Sequence, residues 1–161
     1  MKRAEFGEFD AIFASSKNVY LIESKWDKLS GFKNDKIALR QEQIIRHEIF
    51  SWYLTNWVKD KYFNWTEFHD ALKIDFKNKF PSKKIAPIGS LLADNLQFVL
   101  NEIQKHFEKF SYDSYDFKIR NVLLFFYNKN KSVPPNKINA SFELVNIDYS
   151  QNMTNNFIAL D

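Results

Sequence analysis

Asp10, Glu23 and Lys25 are the residues whose types and spacing are best suited to chemistry. Glu23-Ser24-Lys25 closes the apolar run Val19-Tyr20-Leu21-Ile22, and Glu8-Phe9-Asp10 stands a hairpin's length before it. A strand with apolar side chains on both faces desolvates the charges at its end, which is costly unless they are paired or meet a cation. The chain has no Cys, and none of its three His lies near this segment, so the donors are oxygens alone. That set suits a hard divalent ion, Mg²⁺ or Mn²⁺. Lys25 on the same face can hold a water or a phosphate oxygen and offset charge developing at phosphorus. Metal-activated hydrolysis of a phosphodiester is the chemistry these groups can support.

Two strands must position them. Residues 6 to 14 and 18 to 26 read as an antiparallel hairpin with Ser15-Ser16-Lys17-Asn18 as its turn. A turn centred on Ser16-Lys17 sets Asp10 opposite Glu23 and Glu8 opposite Lys25. Directly opposed residues share a face, as do strand residues two apart, so this register gathers all four charges on one patch. A slip of one residue would scatter them. The plainer reading is a buried ion-pair cluster that fixes strand register.

The remaining elements follow from periodicity. From Asp35, a plausible N-cap, to about Lys61, the residues Ile37, Ile44, Ile45, Ile49, Trp52 and Tyr53 recur at helical spacing. Thr66 caps a second helix carrying Phe68, Leu72 and Phe76, which ends before Pro81. Ser82 to Gly89 is a loop. A third, strongly amphipathic helix runs from Ser90 through Leu92, Leu96, Val99, Ile103, Phe107 and Phe110. Phe117 to Tyr127 reads as a buried strand, Asn128 to Asn139 as a loop broken by Pro134-Pro135, and Ala140 to Tyr149 as a last strand. The order β-β-α-α-α-β-β implies an α/β (α+β) fold, a mixed sheet flanked by helices. We expect one domain over residues 1–161, with a motif core at 6–50, a helical insertion at about 62–111 and returning strands at about 117–149.

Asp10 followed by Glu23-Ser24-Lys25 resembles the D…(D/E)xK signature of the PD-(D/E)XK nuclease superfamily, which has the restriction-endonuclease-like fold. Gly7-Glu8-Phe9-Asp10 and Val19-Tyr20-Leu21-Ile22-Glu23-Ser24-Lys25-Trp26 are most similar to the nuclease-related (NERD) domain and to Mrr-like restriction nucleases. Leu39-Arg40-Gln41 is similar to the short Gln-containing motif that such domains carry after this strand. The resemblance covers roughly residues 6 to 50. It implies a Mg²⁺- or Mn²⁺-dependent deoxyribonuclease, with Asp10 and Glu23 as metal ligands, Lys25 as the catalytic lysine, and Glu8 and Gln41 as further members. It also implies the backbone carbonyl of Ser24 as a metal ligand. Members usually place a helix and a first strand ahead of the Asp-bearing strand, whereas only Met1 to Glu5 precede it here. The expectation is therefore a minimal member, a homodimer or second subunit that supplies this element, or later helices that replace it. The alternative reading is a non-catalytic module that keeps the nuclease-like fold and serves in DNA binding or subunit assembly, completed by a partner. A third reading is an unrelated α/β interaction protein.

Composition narrows the field without choosing a partner. With 161 residues, 45% hydrophobic and 17% aromatic, the chain can bury a core, and its 17 Phe against 3 Gly argue against disorder. No apolar run is long enough to span a bilayer and no leader-like start is present, so the expectation is a soluble, intracellular (cytoplasmic) protein with no membrane partner. Net charge is only +3. The excess concentrates at Lys73, Lys77, Lys79, Lys83 and Lys84 against Asp75, a segment that a phosphate backbone could use and that otherwise reads as a solvated face. His47, His69 and His106 lie out of helical reach of one another and are assigned no metal. Trp52, Trp57, Phe63 and Trp65 could stack on bases but read better as packing between helices. With so few Gly there is no phosphate loop.

Overall fold

The computed structural model describes residues 9–27, 36–109 and 117–150. In chain order the elements are β1 (Ala11–Ala14), β2 (Asn18–Trp26), β3 (Lys36–Ile37), α1 (Gln41–Lys59), α2 (Trp65–Lys79), α3 (Leu91–Glu108), β4 (Lys118–Tyr127), β5 (Lys137–Ile138) and β6 (Glu143–Asp148). The architecture is mixed α/β, with three helices and a four-stranded sheet in the order β1-β2-β4-β6. The chain divides into two compact units of interleaved segments. Of the described residues, 14–19, 42–109 and 117–119 form one, and 9–13, 20–27, 36–41 and 120–150 form the other.

The helical unit is held by aromatic packing. Tyr53 and Trp57 of α1 and Phe68 and Phe76 of α2 are at most 1% exposed, and their rings meet at centroid distances of 5.2 to 5.9 Å. Trp65 and Trp57 stack at 6.0 Å, so these two tryptophans belong to the core, while Phe63 is exposed. The end of α1 is a Schellman turn. Lys61 takes φ +54°, Tyr62 N–H donates to the Trp57 carbonyl, Lys61 N–H donates to the Val58 carbonyl, and the Tyr62 and Trp57 rings lie 6.2 Å apart. Helix α2 is capped by Asn64, whose side chain accepts from Thr66 N–H at 2.8 Å; Thr66, the expected cap, is inside the helix. Ser90 caps α3 as expected, accepting from Ala93 N–H at 3.1 Å. Near the far end of α3, His106 Nε2 meets the Ser15 carbonyl in the β1–β2 turn at 3.2 Å.

The sheet is mixed. Strands β1 and β2 are antiparallel neighbours, bonded near the turn from Ser15 N–H to the Asn18 carbonyl. Strand β4 lies parallel to β2, as Lys118 N–H donates to the Lys17 carbonyl at one end and Asp27 N–H to the Phe126 carbonyl at the other. That register sets residues of β2 beside those of β4 a hundred numbers on, and Trp26 accordingly stacks on Phe126 at 4.5 Å. Strand β6 is parallel to β4, with Val122 beside Glu143 and Tyr127 beside Asp148. Helix α1 begins at Gln41, later than the apolar spacing suggests. The two residues Lys36 and Ile37 instead pair with Lys137 and Ile138, a parallel pairing inside the segment expected to be loop. The Asn139 side chain completes it, accepting from Leu39 N–H at 2.8 Å and donating to the Leu39 carbonyl at 3.0 Å. The expected cap Asp35 lies outside the described residues.

Candidate functional site

Alternation along β2 separates its side chains into two sets. Val19, Leu21, Glu23 and Lys25 share one face, where Val19 and Leu21 are fully buried and Glu23 is 5% exposed. Leu123 and Phe125, from the matching face of β4, are also fully buried. The sequence thus ends a dry apolar row on a carboxylate. Lys25 Nζ lies 3.7 Å from Glu23 Oε1, and the lysine side chain keeps 23% of its exposure. The pair is therefore desolvated on the acid side and open to solvent on the basic side.

Asp10 is held against the same strand. Its N–H donates to the Ile22 carbonyl at 3.2 Å, one residue short of the expected Asp10–Glu23 pairing. Near the turn the expected register holds, so the β1 side gains one residue between Asp10 and Ser15, the signature of a bulge. The Asp10 carboxylate consequently meets Ser24: Oδ2 accepts the Ser24 N–H at 2.6 Å and the Ser24 hydroxyl at 2.7 Å. Of the four charges expected on one face, Glu23 and Lys25 share a face of β2, and Asp10 is bonded to Ser24 at the edge of the same strand. Backbone groups of β2 also alternate in direction, odd residues toward β4 and even residues toward β1. The Ser24 carbonyl therefore projects to the same edge as Asp10.

Gln41 is the first residue of α1 and is exposed. Glu8 lies outside the described residues. Lys73, Lys77, Lys79 and Lys84 are exposed and Lys83 is half-buried. Two of these are engaged locally, Lys73 with Asp70 at 3.4 Å and Lys77 with the Pro81 carbonyl. His69, whose hydrogen bond at 3.3 Å is the largest influence holding the Asp70 carboxyl below its ordinary range, is likewise a surface partner. Among the described residues, no three His, Asp or Glu side chains gather in a way that could hold a metal ion. The donor set of Asp10, Glu23 and the Ser24 carbonyl is all oxygen and fits a hard divalent ion in chemistry.

The described residues include other polar groups that the sequence patterns did not single out. Gln43 and His47, 8% and 1% exposed, sit four apart on α1, a spacing that marks one helical face and could have flagged them. Asp27, directly after β2, accepts hydrogen bonds from Asn128 N–H at 3.1 Å, the Ser132 hydroxyl at 3.0 Å and the Tyr149 hydroxyl at 3.1 Å. Desolvation, with the nearby Asp27 carboxylate, pushes the Tyr149 hydroxyl above its ordinary value. Arg120 pairs with Glu143 and reaches the Tyr20 hydroxyl at 3.3 Å across β2, β4 and β6. No family model, curated protein or solved structure matches this chain. Among the described residues, no helix is long and apolar enough to cross a membrane.

Proposed function

We propose that the protein is a metal-dependent nuclease or nuclease subunit that hydrolyses phosphodiester bonds in DNA. The observation that carries this reading is the desolvated Glu23 carboxylate at the end of an apolar strand, with the Lys25 ammonium 3.7 Å away and partly open to solvent. A buried acid beside a lysine is a weak device for stability and a common one for chemistry. Glu23, Asp10 and the Ser24 carbonyl would hold Mg²⁺ or Mn²⁺, which supplies Lewis acidity and lowers the proton affinity of a bound water. Lys25 offers its ammonium to a phosphate oxygen and offsets charge at the phosphorus centre. The lysines from Lys73 to Lys84 supply positive charge suited to a nucleic-acid backbone. The test is cleavage of plasmid DNA with Mg²⁺ or Mn²⁺ by the wild type, Lys25→Ala and Asp10→Ala. Wild-type activity lost in both variants supports the reading, and equal activity of all three refutes it.

A second reading, a non-catalytic module of related architecture for DNA binding or subunit assembly, is favoured by the bulge that puts Asp10 on Ser24 rather than opposite Glu23. Calorimetric titration separates the two. DNA binding with no uptake of Mn²⁺ selects the second.

A further inference from the structure

We infer that Ser24 positions Asp10 for a divalent cation, an inference that rests on the metal-dependent reading above. The middle residue of Glu23-Ser24-Lys25 contributes three groups at one edge of β2. Its N–H and its hydroxyl both donate to the same oxygen, Asp10 Oδ2, at 2.6 and 2.7 Å. Two short bonds to a single oxygen fix the carboxylate's rotation and occupy Oδ2. The other oxygen, Oδ1, is then the one a cation can use, in monodentate fashion. The Ser24 carbonyl projects to that same edge by the alternation of the strand.

The bulge is what makes this arrangement possible. With Asp10 opposite Glu23, its side chain would stand over the neighbouring face and out of line with Ser24. The extra residue on the β1 side turns it onto the strand edge, where its carboxylate accepts the Ser24 N–H. Donors that orient a metal ligand commonly change metal affinity by about 10- to 100-fold when removed. Ser24 is thus a positioning residue, acting through Asp10.

The experiment compares Ser24→Thr with Ser24→Val, which are nearly isosteric and differ in the hydroxyl while both keep the backbone N–H. Dissociation constants for Mn²⁺ alone are measured by calorimetry on the full chain, with circular dichroism melting as the control for folding. The expected result is near-wild-type affinity for Ser24→Thr and roughly tenfold weaker binding for Ser24→Val. Melting temperatures of the two variants should agree. Equal affinity in wild type, Ser24→Thr and Ser24→Val overturns the role of the hydroxyl and leaves the nuclease reading intact. A wild type that takes up no Mn²⁺ overturns both. Hydroxyl-dependent Mn²⁺ binding in a protein that never cleaves DNA upholds the positioning role and overturns the nuclease reading alone.

Discussion

Replacing Glu23 and Lys25 one at a time distinguishes a chemical site from a structural ion pair. At 3.7 Å the Coulomb attraction under an effective dielectric near 20 is of order 4 kcal/mol, and desolvation of the carboxylate offsets most of it. Lys25→Met leaves an acid that is 5% exposed without that ammonium. Breaking a fully buried pair costs about 3–5 kcal/mol, and the partial exposure of Lys25 reduces this to roughly 1–3 kcal/mol. For a chain of this length, about 2–4 °C per kcal/mol, the melting temperature should fall by roughly 2 to 12 °C. Glu23→Gln removes the desolvated charge and lets the ammonium turn into the solvent it already touches, so its stability should stay within about 1 kcal/mol of the wild type. Urea or thermal denaturation followed by circular dichroism gives both values, and Mn²⁺ titration of Glu23→Gln should show binding abolished. Should Glu23→Gln destabilise as much as Lys25→Met while Mn²⁺ binding is unaltered, the pair is there to fix strand register and the chemical argument fails.

Three further outcomes test the packing. Tyr53→Phe removes the hydroxyl that accepts the buried Ala86 N–H at 3.1 Å and should cost about 1–3 kcal/mol in chemical denaturation. Burial raises the Tyr53 pKa, so its protonated form contributes stability that is complete below the ordinary tyrosine value near 10 and is lost as pH rises through the higher folded value; the wild type should therefore lose more stability than Tyr53→Phe in an alkaline melting series. Lys61→Gly relieves the left-handed conformation at φ +54° and should stabilise by about 0.5–1 kcal/mol, read as a higher denaturation midpoint. Asp27→Ala withdraws the acceptor of Asn128 N–H and the Ser132 hydroxyl, and exchange of the Asn128 amide should quicken by roughly tenfold or more, since a bond to a carboxylate contributes about 1.5–3 kcal/mol.

The helices and long strands were legible because their periodicity reflects burial. Leu96, Leu100, Ile103 and Phe107 recur on one side of α3, and Val19 and Leu21 alternate into the dry face of β2. The pairing of β3 with β5 was not, because two-residue strands carry no period and their partners lie a hundred residues apart. Ile37 matches the helical spacing of Ile44 and Ile45 in the sequence, yet it pairs with Ile138, and the Asn139 side chain ties up both backbone groups of Leu39 ahead of the helix. At the site, Glu23 and Lys25 could be placed together by counting alone, since residues two apart on a strand always share a face. Asp10 could not, because a single bulged residue reverses the outcome and no turn sequence announces it. The Asp10–Ser24 contact is a consequence of that bulge.

The parallel pairing of β2 with β4 sets an order of events during synthesis. Strand β2 ends at Trp26 and β4 begins at Lys118, 118 − 26 = 92 positions later. At roughly 5–20 residues per second, a ribosome takes about 5–20 s to supply that partner. For this interval Val19 and Leu21, fully buried in the finished fold, have only the four-residue β1 beside them in the sheet. The opposite edge of β2 is an open template for any other strand. Charges near the end of such a strand, here Glu23 and Lys25, disfavour mispairing over that interval.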